Sequence, residues 1–125
     1  VAKSGSGHSI VLDGAPEGGG GNSGMRPMEL MALSVASCSS YDVVTILKKA
    51  RQEISSCEAD VEAVRVDSVP SVFESIHLHF RVSGTDLNVK QVKRAVELSA
   101  DKYCSASIML KNSGVKITHD FEIIS

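Results

Sequence analysis

The sequence has no tryptophan, and its 125 residues include only three Phe and two Tyr. A core must therefore be aliphatic, and a chain of this length buries about two thirds of its unfolded surface, enough for one domain. Excess positive charge is missing as well. Thirteen Lys and Arg face fifteen Asp and Glu, for a net charge of −2. That balance, with no basic patch, argues against nucleic acid or an anionic membrane surface as the main partner. No apolar run reads as long enough to cross a membrane, and no signal peptide opens the chain. The chain begins at Val1 and not at Met, which reads as an upstream segment left off. Three cysteines, an odd number at no small-scaffold spacing, exclude a disulfide-stapled secreted domain. A reducing cytoplasm is the expected compartment. The glycine run at 18–21 is followed by no GxxxxGK[ST], so a phosphate-cradling loop is not expected.

What is present is organised around one stretch, Arg26 to Arg51. Apolar residues recur there at helical spacing: Leu30, Met31 and Leu33, then Val35, Cys38, Val43, Val44, Ile46 and Leu47. Pro27 suits the first turn, where its missing N–H would be unpaired anyway. Lys48, Lys49 and Arg51 place positive charge at the C-terminal end, where the helix dipole favours it. A helix of about 25 residues would be roughly 37 Å long. Its middle, from Ala32 to Ser40, is uncharged, small and apolar all round. Such a helix wants burial on every side, some of it from a second subunit. Cys38 lies at the centre of this segment, either as a small core filler or as a reactive thiol in a dry pocket.

The remaining elements follow in order. Val1 to Gly24 is polar and glycine-rich, with a short strand over Ser9–Leu12 and a flexible loop through the glycines. Ser55-Ser56 marks a turn after the long helix. Glu58 to Asp67 alternates as a half-buried strand, and the phase slips at Val64 and Val66, which suggests a bulge or a strand end. A turn at Ser68–Ser71 leads into the cleanest strand, Ser75–Ser83. Ile76, Leu78, Phe80 and Val82 face one way there, and the two strands form an antiparallel pair. Gly84-Thr85-Asp86 breaks the sheet. Asn88 caps a helix running to about Lys102, with Gln91 completing a capping box. A second short helix starts near Cys104 or Ser105 and closes at Lys111–Gly114. Val115 to Ile123 alternates as a last strand. This is α+β, with no internal repeat.

Two sets of residues could carry chemistry. Cys38 and Cys104 both lie on or beside helices and next to small serines. Two such thiols, if they meet, can act as a pair: one thiolate attacks a peroxide and becomes a sulfenic acid, and the other condenses with it to a disulfide. The attacking thiol needs a lowered pKa, from a cation or a helix N-terminus. Position at a helix start favours Cys104, whereas Cys38 is mid-helix, about three turns from Arg26 and from Arg51. Cys57 reads as incidental. His77 and His79 share a strand face and could both reach one metal, but no third ligand stands at ligand spacing. They read as a solvent-facing pair. His8 and His119 are isolated.

The stretch from Arg26-Pro-Met-Glu-Leu through Ala36-Ser-Cys38-Ser-Ser-Tyr-Asp-Val resembles the first cysteine motif of the OsmC/Ohr family. Glu97-Leu-Ser-Ala-Asp-Lys-Tyr-Cys104-Ser-Ala-Ser through Ile117-Thr-His-Asp-Phe-Glu resembles the second. The likeness runs from near His8 to the end and is greatest to the YhfA-like branch. It implies a single OsmC-like domain over 1–125, with 1–24 as lead-in and the family's N-terminal strand missing. It implies a long central helix packed on antiparallel sheets in an intertwined homodimer, with active sites at the subunit interface. It further implies a thiol peroxidase acting on organic hydroperoxides, with Cys38 in the attacking position and Cys104 in the resolving one. A dithiol such as a lipoyl carrier would serve as reductant, and neither a metal nor another cofactor is expected. An alternative is a non-catalytic dimer that binds a small apolar or electrophilic ligand, for which Met28 makes the pocket greasier. The family's Glu after the motif's proline, which holds an upstream Arg against the thiolate, is replaced here. Met28 stands in its place, Glu29 follows one residue later, and no Arg precedes Arg26.

Overall fold

A computed structural model describes residues 1–124. The elements are β1 (Ala2–Lys3), β2 (Ser9–Ile10), α1 (Pro27–Lys49), β3 (Glu53–Arg65), β4 (Phe73–Thr85), α2 (Val89–Leu98), α3 (Ser105–Asn112) and β5 (Lys116–Ile124). Two compact units divide the chain, one covering Val1–Leu33 and the other beginning at Ser34.

In the first unit β1 and β2 pair antiparallel, with Ala2 opposite Ile10, and a bridge joins Leu12 to Met25. The glycine-rich stretch is held by one side chain. The Asp13 carboxylate accepts hydrogen bonds from the N–H groups of Gly14, Gly21 and Ser23 and from the Ser23 hydroxyl. These bonds, the Ser23 hydroxyl above all, hold the Asp13 carboxyl far below the usual range. Gly20 is required there because a Cβ would meet the Gly14 carbonyl oxygen at 2.1 Å.

The start of α1 accounts for two residues of the first cysteine motif. Pro27 takes the first helical position. Glu29 stands two residues later, and its Oε1 accepts from the Arg26 N–H at 2.9 Å, which is the return half of a capping box. The Arg26 guanidinium donates to the Gly24 carbonyl at 2.9 Å. The helix ends at Lys49, two residues short of Arg51, the end of the stretch read as helical. Arg51 adopts a left-handed φ of 60°, and the N–H groups of Arg51 and Gln52 return to the carbonyls of Lys48 and Leu47. This is a Schellman-type stop with Arg where Gly is usual. By length and composition α1 could cross a membrane, with a mean hydropathy of 1.5 over its best window, contrary to the absence of such a run expected from sequence. Only a third of that window is buried in the single chain.

The second unit is built on a three-stranded sheet in the order β3-β4-β5. β3 and β4 pair antiparallel, as their patterns predict, with Cys57 opposite Val82 and Ala59 opposite Phe80. The phase slip near Val64 is a register irregularity between Val64 and Arg65. The expected turn at Ser55-Ser56 is instead strand, because β3 begins at Glu53 and carries a second irregularity there. β4 runs on through Gly84, where a Cβ would come within 2.2 Å of the Glu53 carbonyl oxygen, so glycine permits the pairing that its breaker character argues against.

One expectation needs correction: the sheet is mixed and not wholly antiparallel. β5 pairs parallel to β4, with Ser75 opposite Lys116 and Phe80 opposite Phe121. The cause is the connection. Two helices intervene, and a crossover of that length returns the chain to the same end of the sheet. Four alternate residues of the central strand, Ile76, Leu78, Phe80 and Val82, are fully buried. Val35, Val43 and Leu47 of α1 and Val92, Ala95 and Val96 of α2 complete an aliphatic core.

α2 starts where its cap predicts. Asn88 Oδ1 accepts from the N–H groups of Lys90 and Gln91 at 2.9 and 3.2 Å. The reciprocal bond is supplied by Gln52 and not by Gln91, for its Oε1 accepts from the Asn88 N–H at 2.8 Å. Asn88→Ala is expected to cost about 1 kcal/mol, read as a lower denaturation midpoint at unchanged slope. After Leu98 the helix widens into a π turn over Ser99–Tyr103, closed by the Cys104 N–H on the Ser99 carbonyl at 2.8 Å. The turn delivers Cys104 in extended backbone as the N-cap of α3.

Candidate functional site

Cys38 lies on α1, and Asp42 stands one turn further along the same face, four residues on. Cys104 reaches them from the start of α3. The two sulfurs and a carboxylate oxygen of Asp42 all lie within 4.8 Å of one another. Both thiols are free, Cys38 half-buried and Cys104 fully buried. The structure thus brings together the two cysteines that sequence reasoning singled out, 66 residues apart, and adds a carboxylate that it did not.

Small residues make the approach possible. The Ser99 hydroxyl donates to the Ser39 carbonyl at 2.9 Å, and the Ser39 and Ser107 hydroxyls lie 3.4 Å apart, all three side chains being buried. With only hydroxyls and thiols between them, α1 can sit against the α3 start, and Cys104 Sγ comes within 3.9 Å of the Val35 carbonyl.

The electrostatics of the two thiols differ. Burial pushes the Cys104 thiol up, but hydrogen bonds from the Ser107 and Ser39 hydroxyls, the Ser107 N–H and Cys38 outweigh it, and its pKa is lowered. The Ser107 N–H is 3.4 Å from its sulfur, in the first turn of α3, where the helix dipole favours an anion. Cys38 is pushed up, by burial first and then by its negative neighbours Cys104 and Asp42, although the Ala106 N–H donates to it. Of the two thiols, Cys104 is therefore the more readily ionised. Burial also raises the Asp42 carboxyl, and its Oδ2 is buried with no hydrogen-bond partner among the described residues.

The other candidates lie elsewhere. Cys57 is half-buried on β3, pushed up by burial and receiving a hydrogen bond from the Ser40 hydroxyl. His77 and His79 are on the partly exposed face of β4, as expected. However, carboxylates do stand beside them. Asp120 Oδ1 is 3.1 Å from His77 Nε2 and 2.7 Å from His79 Nδ1, and Glu122 is 3.2 Å from His79 Nε2. These acids belong to β5 and come alongside only through the parallel pairing. Hydrogen bonds that the His79 ring donates to Asp120 and Glu122 raise its pKa. His8 bonds within its own loop to Ser6.

Comparison with known proteins gives the following likenesses. The family model described as OsmC-like protein matches residues 19–120. Protein YhfA of Escherichia coli is 42% identical over 125 residues, which is all of this chain and 90% of that protein. The crystal structure of a hypothetical protein from Aquifex aeolicus superposes with a TM-score of 0.72 at 36% identity, covering 84% of this chain and 80% of that one. An organic hydroperoxide resistance protein from Legionella pneumophila shares the fold, with a TM-score of 0.74 at 17% identity over 96% of this chain and 86% of its own.

Proposed function

The chain belongs to the OsmC-like protein family, and on that premise we propose that it is a thiol-dependent peroxidase reducing organic hydroperoxides, with Cys38 attacking and Cys104 resolving. The observation that carries this reading is the meeting of two free thiols within 4.8 Å at the first turn of α3. Cys38 attacks because it is the more accessible sulfur, while Cys104 is fully buried. Cys104, the more readily ionised thiol, takes the proton from Cys38 when it is a thiolate, which places the nucleophilic charge on the reachable sulfur. The Cys38 thiolate then attacks an oxygen of ROOH, the O–O bond breaks, and the alkoxide leaves as alcohol with that proton. Cys104 next displaces hydroxide from the Cys38 sulfenic acid and forms the disulfide. A dithiol of the lipoyl kind, in a reducing compartment, returns both thiols by exchange.

The test is direct. Reduced protein treated with cumene hydroperoxide should yield a Cys38–Cys104 disulfide by peptide mass spectrometry, with Cys57 still free. Thiols that stay reduced while peroxide persists would sink the proposal.

The family premise also supports a homodimer. α1 is mostly apolar, yet Met31, Leu33 and Tyr41 are exposed in the single chain, Tyr41 by 75%. A second copy is the natural cover for such a helix. Light scattering should give twice the chain mass of 13.2 kDa, and Tyr41→Glu should shift the population toward monomer.

A second reading, a dimer that binds a small apolar or electrophilic ligand without turnover, is favoured by the negative neighbours of Cys38. It predicts ligand binding that survives Cys38→Ser.

A further inference from the structure

We propose that Cys38, Asp42 and Cys104 form a three-ligand site for a thiophilic divalent cation, zinc above all. The argument begins with placement. Cys38 and Asp42 are one turn apart on α1, an i, i+4 pair that presents two ligands to one point, and Cys104 closes the triangle from the start of α3. Their three ligand atoms lie within 4.8 Å of one another. Ligands held about 2.0–2.3 Å from zinc in a tetrahedron stand roughly 3.3–3.8 Å apart. Side-chain rotation of about an ångström therefore gathers the set, with no movement of backbone.

The second argument is charge. Cys38 has a second thiol and a carboxylate beside it, those of Cys104 and Asp42. Asp42 Oδ2 is buried without a hydrogen-bond donor among the described residues, an arrangement that costs desolvation energy until something positive meets it. A divalent ion answers all three acids together.

The third is the outer layer. N–H groups of Ala106 and Ser107 point at the two sulfurs. Such N–H to sulfur bonds orient thiolate ligands and offset their charge. Two thiolates select zinc, cadmium or cobalt over magnesium and calcium, which prefer all-oxygen sets. Three protein ligands leave the fourth position open, and the partial exposure of Cys38 gives access to it. Since the same sulfurs would form the disulfide, metal occupancy and thiol oxidation exclude each other.

The experiment uses the reduced full chain and cobalt(II) as probe, without peroxide. The expected result is thiolate-to-cobalt charge-transfer absorption that saturates at one equivalent per chain and is displaced by zinc. Cys104→Ser should abolish that absorption. Asp42→Asn, nearly isosteric, should weaken cobalt binding by at least about tenfold, with its melting curve confirming the fold. In the unmodified protein, zinc should protect Cys38 and Cys104 from alkylation and leave Cys57 unchanged. Absence of the absorption, equal cobalt affinity in Asp42→Asn, or equal alkylation with and without zinc would overturn the site. Because no readout involves peroxide, its failure would leave the peroxidase reading standing, and the reverse also holds.

Discussion

Cys38→Ser is expected to lower hydroperoxide turnover by at least about a thousandfold, since removing the nucleophile of a covalent mechanism removes the path itself. Cys104→Ser should behave differently. It should consume about one equivalent of peroxide per chain, more slowly without Cys104 to take the proton, and stall, leaving a sulfenic acid on Cys38 that a dimedone probe captures by mass spectrometry. Further peroxide should carry that sulfur to the sulfinic acid, because its resolving partner is gone. The contrast matters because charge and access point to different sulfurs. Cys104 is the more acidic thiol and caps α3, but it is fully buried, whereas Cys38 is partly exposed. If access decides, the sulfenic acid appears on Cys38 in Cys104→Ser. A sulfenic acid on Cys104 in Cys38→Ser, with rapid first turnover, would reverse the assignment.

The largest loss of stability is expected from Phe80→Ala. Phe80 is fully buried at the middle of the central strand, between Ala59 on β3 and Phe121 on β5. The aromatic content is low, so few other rings could fill the space, and the neighbours on both sides are fixed by ladder hydrogen bonds. The cost is about 3–5 kcal/mol, which lowers the melting temperature on the order of 10–20 °C. Val64→Ala, about half exposed at the irregular end of β3, is the control and should change stability by under about 0.5 kcal/mol. Similar losses from both would mean that the sheet is not the centre of the core.

Much of this fold is legible from local pattern. The alternation in β4, the capping by Asn88 and the long α1 each follow from a few neighbouring side chains. The parallel β5 does not, because alternation reports which face is buried and is blind to strand direction. The carboxylates beside His77 and His79 escape notice for the same reason. The cysteine pair is legible only through the two family motifs, since spacing alone does not bring residues 38 and 104 together. Asp42 is different. Its i+4 spacing from Cys38 is plain in the sequence, but a thiol that must ionise directs attention to cations, and the neighbour it has is an acid. Glu29, one place from the family's usual Glu, is committed to the Arg26 N–H, and helical geometry explains why it cannot serve the thiol instead.

The π turn at Ser99–Tyr103 has an evolutionary consequence. Such a turn holds one residue more than an ordinary helical turn, so a single-codon deletion within it would let α2 continue as regular helix while Cys104 keeps nearly the same direction. The buried apolar positions of α2 come before the turn and would keep their places. The segment before Cys104 therefore has room to lose one codon in a lineage and still present the thiol at the start of α3.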